Sequence, residues 1–336
     1  MKKTLQIASS PHLASGASVE RIMRHVIIAL LPACLFAVYI FGLDALLTLT
    51  AATGACLLTE HGLCRAGGEQ TPVADGSVAV TGLIYGLTLP PSLPLWMTVL
   101  GGVFAVAVGK FIFGGLGANV FNPALVGRAF LQAAFPGAMT SWAPALGDER
   151  FSSLSAPLLT MPFAAPEYDA ITAATPLAAW KFDGELTAVT DLALGMTTGS
   201  TGETCAVLIL LGGLYLAALR IVQWRIPVAI FVVTAAAAAL FNAIDADRYP
   251  GPLFTLASGG LMLGAVFMAT DMVASPLTRL GCWLYGALIG ALIIAIRFWG
   301  GLAEGVMYAL LIANAVSPHI DRWLQPVAYG SRRTAA

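Results

Sequence analysis

Charge is what this sequence has least of. Only 10% of its residues are Asp, Glu, Lys or Arg, against roughly 25% in soluble domains. With 58% hydrophobic residues and a mean hydropathy of +0.83, a 336-residue chain has too few charges to wet the surface of a soluble fold. The composition therefore predicts an integral membrane protein. The net charge of -1 supplies no basic surplus, which excludes nucleic acid as a partner. Cysteine is scarce too: Cys34, Cys56, Cys64, Cys205 and Cys282 contain no CxxC pair. That argues against an iron–sulfur cluster held by this chain alone and reads as small buried residues in helices. His12, His25, His61 and His319 are scattered without metal-ligand spacing, so no metal site is predicted. No Gly-rich nicotinamide fingerprint follows a strand pattern, so no nicotinamide-binding site and no catalytic residue are assigned. Leu5 to Val19 is polar, without the apolar core of a secretory signal; it reads as a cytoplasmic arm.

What the chain has is hydrophobic segments. A crossing helix needs about 20 apolar residues. Ten candidates stand out, at 22–42, 44–60, 76–92, 95–114, 120–137, 204–221, 226–243, 252–270, 280–298 and 301–318. The expected fold is thus all-α, with about ten transmembrane helices. The expected organisation is an arm over 1–21, a membrane half over 22–137, a polar loop over 138–203, a second half over 204–318 and a tail over 319–336. With the N-terminus inside, most Lys and Arg residues fall on the cytoplasmic side. Arg248 and Arg297 are exceptions, read as snorkelling or paired. Both termini are then cytoplasmic and the polar loop is periplasmic.

Five spans on each side of one loop have opposite orientation, which predicts a five-plus-five inverted repeat. Gly82-Leu-Ile-Tyr-Gly86 corresponds to Gly260-Leu-Met-Leu-Gly264, and Phe113-Gly-Gly-Leu-Gly-Ala118 to Trp299-Gly-Gly-Leu-Ala303. Thr88-Leu-Pro-Pro-Ser-Leu-Pro94 and Asp271-Met-Val-Ala-Ser-Pro276 add breakers at the third and eighth spans, so broken helices are expected there.

The polar loop concentrates acid. Residues 137–203 hold 8 of the 18 acidic residues and only 2 of the 17 basic ones. Within it lies Asp169-Ala-Ile-Thr172-Ala-Ala174-Thr175, which resembles the flavinylation motif Asp-x-x-Ser/Thr-Gly-Ala-Thr. In that motif a flavin transferase joins FMN through its phosphate to the last Thr. The resemblance implies Thr175 as acceptor, with Asp169, Thr172 and Ala174 as flanking residues; Ala173 stands where the motif has Gly.

Four further stretches carry a wider resemblance: Asp75-Gly-Ser-Val-Ala-Val-Thr-Gly82, Phe113 to Phe130, Gly199-Ser-Thr-Gly-Glu-Thr204, and Ala269-Thr-Asp-Met-Val-Ala-Ser-Pro276. From about residue 20 to 325 the chain resembles the membrane flavoprotein shared by Rnf electron-transport complexes (RnfD) and sodium-pumping NADH:quinone reductases (NqrB). The short N-terminal arm and the length favour the RnfD type. The resemblance implies several things: a component of a translocase in a bacterial inner membrane, with covalent FMN on Thr175; a non-covalent riboflavin in some members; electron flow between NADH and ferredoxin or a related carrier, linked to Na+ or H+ movement. The implied partners are the other Rnf complex components (A, B, C, E and G), a flavin transferase and membrane lipid.

Several polar residues invite a role beside the flavin. Ser200 and Thr201, with Thr204, are positioned to cap the sixth span and meet a phosphate. Asn119, Asn122 and Arg128 interrupt the fifth span, as backbone-ordering groups or as lining of a flavin or ion site. Glu60, Asp75, Lys110, Asp271 and Glu304 are the ionisable residues nearest membrane depth. Glu60, Asp75 and Asp271 map to span ends where water is expected. A stand-alone channel or transporter for a small solute is the alternative that an inverted repeat with broken helices also suits; Thr175 in its motif distinguishes the two.

Overall fold

A computed structural model describes residues 18–68, 75–162, 164, 174–203 and 205–325. Helices carry the whole architecture, and no strand occurs among the described residues. The first half comprises α1 (Val19–Phe41), α2 (Leu43–Gly67), α3 (Ser77–Leu87), α4 (Leu95–Ala107) and α5 (Pro123–Ala134). The second comprises α6 (Ala206–Ala218), α7 (Arg225–Ile244), α8 (Pro252–Ala257), α9 (Arg279–Trp299) and α10 (Val306–Trp323). By length and apolar composition α1, α2, α7, α9 and the Leu95–Phe113 stretch containing α4 are each able to cross a membrane. The chain is an all-α integral membrane protein.

The two halves pack alike. α2 lies against α3 and α4, and α4 against α5; α7 lies against α8 and α9, and α9 against α10. The leading helices α1 and α6 pack on each other and tie the halves together. Small residues allow the close approaches. A Cβ on Gly82 would lie 2.6 Å from Cα of Thr53, so only glycine lets α3 sit on α2 at this distance. In the second half a Cβ on Gly286 would lie 2.7 Å from the Ile226 carbonyl, between α9 and α7.

Both halves are interrupted where the breakers predict, since residues 269–278 are turns between the Gly264–Met268 turn and α9, and the second half carries a further break upstream. α3 ends at Leu87, and Thr88 to Pro94 form buried turns whose Pro91 carbonyl accepts from the Thr48 hydroxyl at 3.0 Å. In the second half the further break falls before Asp271–Pro276. α8 stops at Ala257, Ser258 is extended, and Gly259 adopts φ +65°, a left-handed conformation that favours glycine. The chain then resumes as a short turn, Leu261–Leu263, and a π-type turn, Gly264–Met268. Ser258-Gly-Gly260 was the available signal.

Broken helices expose carbonyls that the membrane interior cannot satisfy, so protein must. Arg297 does so for α8. Its guanidinium is fully buried and donates to the carbonyls of Thr255 at 2.6 Å and Ser258 at 3.0 Å. Arg297 is therefore not a snorkelling residue; it is an internal cap. At the end of α3 the same duty falls to Gly199–Glu203. The Thr201 hydroxyl donates to the Gly86 carbonyl at 2.7 Å, and the Gly202 N–H to the Leu87 carbonyl at 2.6 Å. This corrects the capping expectation: Cys205 is the N-cap of α6, with no side-chain capping bond there, Ser200 and Thr201 are both buried, Thr201 against the end of α3, and Thr204 lies outside the described residues.

Candidate functional site

Thr175 begins a short helical turn, Pro176–Ala178, that continues as a π-type turn over Ala179–Asp183. Its extended backbone and the proline after it are what a helix start requires. The Thr175 Oγ1 accepts the Ala178 N–H at 3.2 Å. Leu177 packs with Leu192 and Phe254 in a small apolar cluster, which anchors this segment to α8. Lys181 anchors it to the end of α9. Its ammonium donates to the carbonyls of Arg297, Gly300 and Leu302 at 2.8, 2.6 and 2.8 Å, using all three protons on a helix C-terminus.

So held, Thr175 and Ala174 border a cavity of about 470 Å³. Its apolar and aromatic wall includes Met139, Trp142, Phe182, Met307 and Tyr308. Its polar wall brings Arg128 and Gln132 from α5 together with Glu203 and Glu304. Arg128 and Glu304 form an ion pair at 3.0 Å, their side chains 11% and 19% exposed. The Glu304 carboxylate also accepts the Gly260 N–H at 2.5 Å. Arg128 Nε and Glu203 Oε1 are enclosed without a hydrogen-bond partner. Burial first, and then the neighbouring charge of Glu304, push the Glu203 carboxyl well above the usual carboxylate range, while Arg128 and Ser200 pull it back.

The polar residues singled out from the sequence are thus divided. Arg128 shares the cavity with Ala174 and Thr175, and Ser200 lines a smaller space behind it with Arg128 and Glu304. Thr201 serves the end of α3. Asn119 and Asn122 lie at a different cavity of about 120 Å³, bordered also by Ser77, Lys110 and Asp271. There Asn122 caps α5 by accepting the Ala124 N–H at 3.0 Å, and Asn119 donates to the Phe121 carbonyl at 3.1 Å. Glu60 is not at a watery end: its side chain is 4% exposed and meets the Lys110 ammonium at 2.6 Å, which also donates to Ser77 at 2.8 Å. Asp169 and Thr172 lie outside the described residues. Four cavity residues, Glu203, Gln132, Trp142 and Tyr308, were not expected from the sequence. Of these, Glu203 alone carried a signal, its place within Gly199–Thr204.

A family model described as "NQR2, RnfD, RnfE family" matches residues 6–330. The chain belongs to the NQR2, RnfD, RnfE family. It is 38% identical over 342 residues to a Clostridium ljungdahlii protein, the D component of a proton-translocating ferredoxin:NAD(+) oxidoreductase complex, covering 99% of this chain and 98% of that one. It is 42% identical to the D component of the ion-translocating oxidoreductase complex of Stutzerimonas stutzeri, over 94% and 93% of the two chains. It is 39% identical to the D component of the Na(+)-translocating ferredoxin:NAD(+) oxidoreductase complex of Acetobacterium woodii, over 97% and 95%. Family membership thus spans both membrane halves, the polar loop and all four signature stretches.

Proposed function

We propose that this chain is the RnfD component of an Rnf-type complex, an electron-carrying membrane protein that bears FMN on Thr175. The complex moves electrons between NADH and ferredoxin, or a related low-potential carrier, and links that flow to translocation of Na+ or H+. The other complex components are its partners, and a flavin transferase is its maturation enzyme. It sits in a bacterial inner membrane with both termini cytoplasmic and the Thr175 segment periplasmic. The names of its relatives support the role within a complex.

The observation that carries the cofactor reading is the placement of Thr175 at this cavity. A threonine in the right motif borders a cavity of about 470 Å³, within the range of about 300–1,000 Å³ typical of small-molecule sites. The residues around it fit a flavin phosphoester. Trp142, Phe182 and Tyr308 offer apolar and aromatic surface for a ring system. Arg128 has an enclosed Nε without a partner, and Gln132 lies on the same helix. Bound there, FMN would supply electron transfer at a fixed place, the chemistry being the cofactor's own. The chain's residues do the positioning. Pro176 and Leu177 fix the attachment segment, Lys181 fastens it to α9, and Arg128 and Glu304 set the charge beneath it.

The test is co-expression with a flavin transferase, followed by a denaturing gel viewed under ultraviolet light. The intact protein is expected to fluoresce and Thr175→Ala to be dark. A dark wild-type band, with the transferase active on another substrate, overturns the reading; a fluorescent Thr175→Ala overturns the site.

A further inference from the structure

One face of α5 is turned towards the Thr175 cavity. Residues four apart on a helix lie on the same face, and Arg128 and Gln132 both border the cavity. Other positions of α5 fix that rotation. Leu125 and Leu131 are buried, and a Cβ on Gly127 would lie 2.7 Å from the Gly101 carbonyl oxygen of α4.

Both side chains come to the cavity with donors unused. A guanidinium carries five N–H groups. Arg128 spends Nη2 on Glu304 at 3.0 Å and makes no other hydrogen bond among the described residues; its Nε is enclosed without a partner. The Gln132 amide makes none among the described residues. Glu304 is itself shared. It also accepts the Gly260 N–H, and a Cβ on Gly259 would lie 3.1 Å from Nη2 of Arg297 and 3.2 Å from Oε1 of Glu304. Arg297 spends its other donors on the carbonyls of Thr255 and Ser258, so Arg128 is the cation with donors to spare. Buried donors left open are costly, and a strut between two halves would gain nothing from them. A ligand oxygen in the cavity would use them. With the phosphate of FMN fixed at Thr175, α5 is left to meet the ring. The polar edge of that ring presents two carbonyl oxygens with an N–H between them. Arginine supplies donors, and a glutamine amide supplies both a donor and an acceptor. Reduction gathers negative charge on this edge, and a cation beside it favours the reduced form.

We infer that Arg128 and Gln132 are the contact for the polar edge of the flavin ring, and that Arg128 raises its reduction potential. The inference rests on the reading of Thr175 as the FMN anchor. Glu304 positions Arg128 from behind, and Gln132, one turn further along α5, sets the orientation of the ring. Neither side chain exchanges an electron or a proton with the cofactor; both act by donating hydrogen bonds, and Arg128 by its fixed charge as well.

The experiment uses full-length, flavin-loaded protein in detergent and reads two quantities: the midpoint potential, and the infrared stretch of the flavin carbonyls, which a donated hydrogen bond lowers. Arg128→Met with Glu304→Gln removes both charges of the pair and leaves the net charge unchanged. In this double variant the reduced form should be held about tenfold less well relative to the oxidised form, a fall of about 30 mV for a two-electron couple. A flavin carbonyl stretch should rise with it. Gln132→Leu should raise a carbonyl stretch and leave the potential nearly unchanged. Arg128→Lys, which keeps the charge and one point of donation, should lie between wild type and the double variant. A wild-type potential in the double variant overturns the tuning role. An unmoved carbonyl band there, or in Gln132→Leu, overturns the contact. Each of these results is obtained with flavin attached and leaves the flavin reading standing. Absence of flavin on Thr175 of the wild type overturns that reading and the inference with it.

Discussion

Arg128 and Glu304 meet at 3.0 Å although 176 residues separate them in sequence. The contact joins α5 of the first half to the connection before α10 of the second, under the segment that carries Thr175. It is one contact by which the two halves of the chain build a single cavity. Breaking a largely buried pair from one side leaves an uncompensated charge, which typically costs about 3–5 kcal/mol. Arg297 also faces Glu304, so Arg128→Ala is expected at the lower end, about 3 kcal/mol. The thermal midpoint in detergent should fall, and Arg128→Met with Glu304→Gln should recover most of the loss. Strictly additive losses would contradict the pairing.

At the other cavity, Glu60 and Lys110 stand 2.6 Å apart with side chains 4% exposed each. Lys110→Met should cost about 3–5 kcal/mol, and Glu60→Leu added to it should restore stability to near the starting value. A double variant as unstable as the single one would show that the pair is not what holds α2, α3 and the end of α4 together.

Arg297→Lys tests the internal cap on α8. Lysine keeps the charge and loses the fork that reaches two carbonyls at once. Losing one hydrogen bond from a charged donor costs about 1.5–3 kcal/mol. The loss should be local, with faster amide exchange or proteolysis at Thr255–Gly260 and little change in α2–α4. Uniform loosening of the molecule would argue against a capping role.

Stability should also depend on pH through Glu203. Its carboxyl lies above the ordinary glutamate value of 4.5, raised by burial and then by Glu304. The native protein therefore keeps a proton that the unfolded chain has already lost. That contribution is full below 4.5 and declines as pH rises through the raised native value. Thermal midpoints of wild type and Glu203→Gln should diverge upward from the ordinary carboxylate range, with the wild type falling more. Parallel curves would contradict the assignment.

Much of this architecture is legible in the sequence because a membrane imposes simple rules. Apolar runs must be about as long as the bilayer is thick, and small residues must mark close helix contacts. Each of the helices α1 to α10 overlaps one of the ten predicted segments, five stretches among the described residues are long and apolar enough to cross a membrane, and Gly82 lies where α3 meets α2. The break at Ser258–Gly260 was harder to see, because Ser-Gly-Gly within an apolar run reads as ordinary helix packing.

By itself the sequence determined the class, the helical segments, the family and the one threonine with a motif around it. These follow from composition and local pattern, which need no partner residue. Only the tertiary structure decided which polar residues act together. It put Arg128 with Glu304, turned Arg297 inward onto α8, paired Glu60 with Lys110, and separated Asn119 and Asn122 from Thr175. The physical reason is that a buried charge is stable only against a specific partner, and the chain supplies that partner from a distant segment that no local pattern names.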